Sequence, residues 1–313
     1  MILKLSMILN LNIKTIELVR DGEFNSFALA NGKLKKDTKL LIYINTLDYI
    51  SFIGKNDEIT CIICTKEIFE ILNNKKHDII SKIGIVISDN PKTTFFLFHN
   101  YLNRNTNFYN NDFEKKIDSS AKIHSTCIIP DKNIIIGKNV ILSPYVVLHE
   151  NTIIEDNVFI SDSSIISHPA FYYYENDGIR NLVDSAGSVL IKEYAEIHSH
   201  VIICKGVLGG ITEIGNNTKI DGHVFIGHDV QIKENCLIPS GSKFGGSVIL
   251  DKDCYIGTGT IITPQIHIKK SSKTSAGAVV VKNVSESSHV SGNFAIEHEK
   301  YVKFIRKIDK TDK

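Results

Sequence analysis

The stretch from Ile214 to Leu250, IGNNTKIDGHVFIGHDVQIKENCLIPSGSKFGGSVIL, decides the fold, because a large apolar residue returns in it every six positions. The series runs on to residue 280 with one break, at Thr274: Ile214, Ile220, Ile226, Ile232, Ile238, Phe244, Leu250, Ile256, Ile262, Ile268, Thr274 and Val280. A second series, four residues further on, is small or β-branched throughout: Thr218, Val224, Val230, Cys236, Ser242, Val248, Cys254, Thr260, Ile266, Ser272 and Ala278.

A period of six matches neither the helical period nor the strict alternation of a strand. It fits a triangular coil, in which each six-residue unit forms one flat side and three sides complete a turn. The large residue then fills the interior and the small residue fits near the corner. Glycine and asparagine in IGKN, IGNN and IGTG suit corners that need a positive φ. Earlier residues keep the same frame: Ile136, Leu142, Leu148, Ile154, Ile160 and Ile166, then Ile191, Ile197 and Ile203.

The sequence divides into three parts around this coil. Residues 1–116 contain strand-like runs (KLLIYI, TCIIC, IGIVIS) and helix-like runs (EIFEILNN, TTFFLFHNYLN), which predict a small α/β domain. The coil occupies residues 117–292 and is interrupted by an extruded loop, 167–190, whose aromatic cluster FYYY either carries function or packs the loop down. Residues 293–313 predict a basic amphipathic helix.

Composition excludes several functions. Lys and Arg total 36 and Asp and Glu total 35, so the charge gives no reason to expect nucleic acid as a partner. No run has the apolar length of a membrane span, and the start lacks a signal-peptide cleavage site, so we expect a cytoplasmic protein.

Cys61 and Cys64 form a lone C-x-x-C, which suits a redox pair or half a zinc site, but ITCIIC equally suits a buried strand. We expect no metal.

The chain resembles the UDP-3-O-acylglucosamine N-acyltransferases, the hexapeptide-repeat family that adds the amide-linked acyl chain in lipid A synthesis. The resemblance is carried by LIYINTLDY, VISDNPKTTFFLFHNYL, EIGNNTKIDGHVFIGHDVQI and VSGNFAIEHEKYVKF. Its most specific part is the pattern I-D-x-x-V-x-I-x-H-[ND]-V, which Ile220 to Val230 meet. The resemblance implies a left-handed parallel β-helix, a homotrimer, acyl carrier protein as the acyl donor, and no cofactor.

His228 is the predicted general base. N-acylation needs a neutral amine to attack a thioester carbonyl, and histidine has the right affinity for the proton that the sugar ammonium must lose. Asp221 is the candidate to orient the imidazole, and Gly246, three hexads after His228, is the candidate oxyanion donor through its N–H. The resemblance assigns the same three roles to these positions. His198, His200 and His223 are reserve candidates.

Tyr43 and Tyr49 match the positions at which the family stacks uracil, with Asn45 and Thr46 between them. Tyrosine is a suitable base-stacking residue. Both tyrosines equally suit the core of the first domain, and the sequence leaves that alternative open.

Three departures from the family concern the substrate. The usual I-D-R-G reads Ile203-Cys204-Lys205-Gly206, a second histidine near the acyl donor reads Gln265, and the glycine-rich aromatic loop reads HPAFYYYENDG. The function that we predict is N-acyl transfer from a phosphopantetheine thioester, on acyl carrier protein or coenzyme A, to the amine of a UDP-linked sugar. One alternative is an acetyl-CoA-dependent acetyltransferase that acts on another nucleotide-linked amino sugar. The other is a trimer without catalytic activity, which binds sugar nucleotides or has a structural role.

Overall fold

The computed structural model describes residues 1–11, 13, 15–29, 38–53, 56–75, 80–109, 112–292, 295 and 297–309. Parts of the predicted first domain and of the predicted C-terminal segment therefore lie outside the described residues, including positions 293, 294, 296 and 310–313. The domain boundaries stay a prediction.

The first part of the chain is built on a mixed sheet, as its strand-like runs predict. The sheet order is Ile16–Arg20, Gly84–Ser88, Ile59–Cys64, Leu40–Ile44 and Ser26–Phe27, with the first pair antiparallel and the others parallel. Leu3–Lys4 and Glu23–Phe24 form a separate antiparallel ribbon. Short 3₁₀ helices span Leu5–Leu11 and Leu47–Phe52.

Within the described residues of this region, the α-helices Lys66–Lys75 and Pro91–Asn105 accompany the sheet. The second begins where SDNP predicts a turn: the Asn90 side chain accepts a hydrogen bond from the Thr93 N–H, and proline follows at the first helical position. This helix buries three phenylalanines completely, Phe95, Phe96 and Phe98. The predicted α/β character of this region agrees with these elements.

The coil is a parallel β-helix with three long sheets. The first sheet contains Lys116–Ile117, Ile134–Ile136, Thr152–Ile154, Ser188–Ile191, Ile211–Ile214, Gln231–Ile232, Ile249–Leu250 and His267–Ile268. The second contains Lys122–Ile123, Ile141–Leu142, Phe159–Ile160, Glu196–Ile197, Lys219–Ile220 and Leu237–Ile238, and Tyr255 bridges it to Lys273–Thr274 and His289–Val290. The third contains Val147–Leu148, Ile165–His168, Ile202–Cys204, Phe225–Ile226, Lys243–Phe244, Ile261–Ile262 and Val279–Val280.

The register confirms the six-residue repeat. Ile214 pairs with Ile232, Ile232 with Leu250, and Leu250 with Ile268, so one turn takes 18 residues, or three hexads. The large residues of the series fill one continuous interior cluster, and the small series is buried beside them. The left-handed β-helix of hexapeptide repeats that the sequence predicts is confirmed.

The corners explain the glycine and asparagine signals. In IGKN, IGNN and IGTG the fourth residue has a positive φ: 54° at Asn139, 55° at Asn217 and 68° at Gly259. Asparagine tolerates this conformation better than most residues, and its amide also bonds between turns. Asn217 Nδ2 donates to Asn235 Oδ1 at 3.1 Å on the next turn.

Two insertions interrupt the regular turns. The first lies between Ile166 and Ile191 and contains an antiparallel hairpin, Tyr173–Asn176 with Ile179–Leu182. Its return segment is bound to the helix Pro91–Asn105, because Arg104 makes a two-bond ion pair with Asp184, at 2.8 and 2.6 Å. The second insertion is the KGVLGG segment: Ile191 pairs with Ile214, so this turn takes 23 residues, five more than a regular one.

The last element of the described residues is a helix, His298–Asp309, where the sequence predicts the basic helix. Lys303 and Arg306 are exposed on it, as are Tyr301 and Phe304. Among the residues that the structure describes, no helix combines the length and apolarity that crossing a membrane requires.

Candidate active site

His228 stands at a corner of the coil, directly after the strand Phe225–Ile226 of the third sheet. Ile226 is fully buried, and His228, two residues on, retains 23% of its side-chain exposure. Its Nδ1 lies 2.9 Å from Asp229 Oδ2. Because a carboxylate offers only acceptors, Nδ1 is the donor in this contact. In the neutral tautomer that this contact favours, the lone pair is on Nε2.

Asp229 is held in place by the second insertion. Its Oδ2 accepts a bond from the Val207 N–H at 3.2 Å, and its own N–H donates to Thr212 Oγ1 at 2.9 Å. A Cβ on Gly206 or Gly210 would collide with Asp229 Oδ1. The two glycines thus make room for the carboxylate, and the longer turn supplies a backbone donor to it.

Gly246 lies one turn beyond His228, as the repeat predicts. A Cβ at this position would collide with Nε2 of His228, so the imidazole packs directly against the glycine backbone. Among the described residues the Gly246 N–H has no hydrogen-bond partner, whereas its carbonyl accepts from the Gln265 N–H at 2.9 Å. The role of this N–H as an oxyanion donor stays a prediction, for which an N–H without a partner is a prerequisite.

The structure does not bring Asp221 to His228 within one chain. Asp221 follows the strand Lys219–Ile220 of the second sheet, at a different corner, where its Oδ1 accepts from the Gly222 N–H at 2.7 Å. The carboxylate that contacts the imidazole is Asp229, and sequence reasoning missed this role. The orienting role of Asp221 stays a prediction, without a contact to support it in the single chain.

Gln265 shares the corner of His228 and Gly246. It is exposed, has a φ of 67°, lies one turn beyond Ser247, and donates its backbone N–H to the Gly246 carbonyl. The reserve histidines lie elsewhere: His200 and His223 stack on each other at 5.0 Å, at the same corner as Asp221.

The predicted nucleotide residues lie at one end of the mixed sheet. Tyr43 is half-buried on the strand Leu40–Ile44, and burial, with smaller effects from Tyr172 and Tyr49, raises its pKa to about 12. Asn45 and Thr46 are exposed just after the strand. Tyr49 is partly buried and packs against the buried cluster that includes Ile42 and Ile44. The site predicted to bind the nucleobase therefore overlaps with the core of this region.

Tyr172, on the extruded loop, is the unexpected neighbour of this site. Its ring centroid lies 5.6 Å from that of His228, with the planes at 83°. On its other side it lies 5.5 Å from Phe96, which in turn lies 6.0 Å from Tyr43. The FYYY cluster was a signal for this contact, but the sequence did not show which aromatic residue reaches the histidine.

The C-x-x-C pair is not part of this site. Cys61 and Cys64 are free and fully buried on the strand Ile59–Cys64, and burial raises the pKa of each thiol to about 12. Reactive or metal-bound cysteines need the thiolate, so the interpretation as buried strand residues agrees with the structure. Among the described residues no group of three or more histidine, cysteine, aspartate or glutamate side chains is placed to hold a metal.

Comparison with known proteins agrees with this fold. Residues 211–246 match the family described as bacterial transferase hexapeptide (six repeats). This stretch begins directly after the second insertion and includes His228, Asp229 and Gly246.

Two curated enzymes and one solved structure are similar to parts of this chain. A UDP-3-O-acylglucosamine N-acyltransferase of Campylobacter lari is 32% identical over 138 residues, 44% of this chain and 43% of the relative. An enzyme of the same name from Nitratidesulfovibrio vulgaris is 40% identical over 65 residues, 21% of this chain and 19% of the relative. Each match spans less than half of the curated relative. Among solved structures, a UDP-N-acetylglucosamine acyltransferase of Campylobacter jejuni is 17% identical, with a TM-score of 0.41 over 61% of this chain and 82% of that one.

Proposed function

We propose that this protein is an N-acyltransferase that moves an acyl group from a phosphopantetheine thioester to the amine of a UDP-linked amino sugar. The observation that carries the proposal is the pairing of His228 Nδ1 with Asp229, which leaves Nε2 free beside the open N–H of Gly246. The names of the relatives supply the substrate class.

The reaction follows from these groups. The sugar amine attacks the thioester carbonyl, so that a C–N bond forms and the carbonyl oxygen gains the negative charge that the Gly246 N–H stabilises. His228 Nε2 takes the proton of the amine, and Asp229 stabilises the imidazolium that results. The C–S bond then breaks, and the proton passes from His228 to the departing thiolate.

Assembly and donor are part of the same proposal. The outward side chains of the coil include exposed apolar residues that a second copy of the chain would cover, among them Leu237, Tyr255, Ile261 and Val279 on the second and third sheets. We propose a homotrimer, which light scattering at micromolar concentration measures directly. The basic helix His298–Asp309 supports acyl carrier protein as the donor, because such carriers are strongly acidic. The place of reaction that we propose is the cytoplasm.

A thiol-release assay with paired donors tests the function. Long-chain acyl carrier protein is compared with acetyl-CoA over a panel of UDP- and TDP-linked amino sugars. Release of thiol that depends on both a carrier-bound acyl donor and a UDP-amino sugar supports the proposal. Release with acetyl-CoA alone would indicate the acetyltransferase, and no release with any pair would indicate a binding or structural protein.

A further inference from the structure

Tyr172 occupies the space between the two predicted halves of the site. Its ring contacts the imidazole of His228 edge to face, and on the other side it contacts Phe96, the neighbour of Tyr43. Within one chain, Tyr172 of the extruded loop therefore lies between His228, the proposed general base, and Tyr43, which is predicted to stack on the nucleobase.

The backbone that carries this ring is anchored by hydrogen bonds. The backbone of Tyr172 is bonded on both sides, its N–H to the Ala170 carbonyl at 3.0 Å and its carbonyl to the Val183 N–H at 2.9 Å. The loop beyond it is bound to the helix Pro91–Asn105, because Asn100 donates to the Leu182 carbonyl and accepts from the Asp184 N–H, both at 2.9 Å. A side chain held in this way is pre-organised for binding.

The hydroxyl of Tyr172 makes no hydrogen bond to any residue that the structure describes. The residue is half-buried, and tyrosine hydroxyls in such places usually find a partner. Burial, and next the charge of Asp229, raises the pKa of this phenol, so it stays protonated at neutral pH and offers a donor.

The order of groups in the substrate indicates what this donor meets. In a sugar nucleotide the base and the amine are at opposite ends, with the sugar at the amine end. An amine that delivers its proton to His228 Nε2 places its sugar against the ring that contacts the same imidazole. We propose that Tyr172 is a sugar-binding residue: its ring forms a wall of the acceptor site and its hydroxyl donates a hydrogen bond to a sugar oxygen. This inference rests on the proposed function.

Binding of two unreactive probes to the trimer tests the assignment. UDP-N-acetylglucosamine has no free amine and UDP has no sugar, so calorimetry with each separates the sugar contact from the nucleotide contact. We expect Tyr172→Phe to weaken UDP-N-acetylglucosamine about 2- to 12-fold, the value of one neutral hydrogen bond, and to leave UDP unchanged. Tyr173→Phe is the matched control, because Tyr173 packs on Phe171 at 5.0 Å and its loss should change neither affinity.

Kinetics give a second readout. Tyr172→Phe should raise KM for the amino sugar and leave kcat within about twofold, because a ground-state sugar contact is retained in the transition state. The assignment would be overturned, with the wild-type enzyme still active, by any of three results for Tyr172→Phe. These are an equal loss of affinity for both probes, unchanged affinity for both, or a loss confined to kcat. A wild-type protein that binds neither probe and releases no thiol would overturn the proposed function and this inference together.

Discussion

The imidazole of His228 and the carboxylate of Asp229, adjacent in sequence, bond to each other across a corner of the coil, with Nδ1 2.9 Å from Oδ2. Adjacent side chains rarely meet in an extended strand, because they point to opposite faces. They meet here because Asp229 has a φ of 58°, which turns the chain at this residue. The backbone conformation at this corner thus sets the orientation of the His228 imidazole.

Replacing the base should remove activity without unfolding the coil. His228→Ala should lower kcat on the order of 10²- to 10⁴-fold, with the oligomeric state and Tm of the wild-type protein unchanged. His267→Ala is the matched control: His267 also pairs with an aspartate, Asp251, at 2.9 Å, but on the strand His267–Ile268 of the first sheet. Steady-state kinetics and thermal melts measure both. Near-wild-type turnover by His228→Ala would favour the binding or structural alternative.

Exchanging the carboxylates separates the observed partner of His228 from the predicted one. Asp229→Asn keeps the shape but removes the charge that fixes the imidazole, so we expect kcat to fall by at least about tenfold, or ~1.4 kcal/mol in the barrier. KM should change little, because Asp229 acts through His228. Asp221→Asn should have a smaller effect on kcat. The reverse ranking would return the orienting role to Asp221, acting from a neighbouring subunit.

Gly246 should not accept even a methyl group. In Gly246→Ala the new Cβ meets His228 Nε2, so the imidazole must shift from the position at which it accepts the proton. We expect a loss of kcat on the order of 10²-fold, since a displaced base costs about as much as other small misplacements in an active site. Gly292→Ala, where a Cβ meets nothing within 4 Å, is the control. Equal activity of the two variants would show that the collision is relieved without consequence.

The basic helix should matter only for a protein donor. Lys303 and Arg306 are exposed, and reversing both charges should raise KM for a carrier-bound donor by about tenfold at low salt. The same variant should use a small thioester normally. If raising the salt concentration leaves the wild-type KM for carrier-bound donor unchanged, electrostatic steering by this helix is ruled out.

His99 should make the fold sensitive to acid. It is fully buried, its Nε2 donates to the Asp184 carbonyl at 2.8 Å, and its Nδ1 accepts from the Tyr109 hydroxyl. Burial lowers its pKa to about 4 from 6.5, so in this interval the unfolded chain binds a proton that the folded chain excludes. The contribution of His99 to the free energy of unfolding is fully present above pH 6.5. The free energy of unfolding then falls by roughly 3 kcal/mol as the pH drops to 4. Urea unfolding should show a smaller loss in His99→Gln, and parallel curves for the two proteins would contradict this account.

The coil could be predicted from the sequence because its pattern is local and repeated. Each hexad places one large residue inside, so a single register satisfies the whole run from Ile214 to Val280, and the corners at Asn217 and Gly259 follow from their tolerance of a positive φ. His228 and Gly246 could be paired for the same reason, since three hexads make one turn. The helices Lys66–Lys75 and Pro91–Asn105 could be predicted from the helix-like runs EIFEILNN and TTFFLFHNYLN and from the SDNP turn.

The support of Asp229 and the position of Tyr172 were decided only by the tertiary structure. The Asp229 carboxylate accepts from the Val207 N–H because the KGVLGG insertion lengthens one turn, an effect that a count of hexads registers only as an irregularity. Tyr172 reaches His228 because the loop is bound to the helix Pro91–Asn105 through Asp184. These contacts join residues far apart in the chain, so their geometry depends on how the insertions pack, which no repeating pattern encodes.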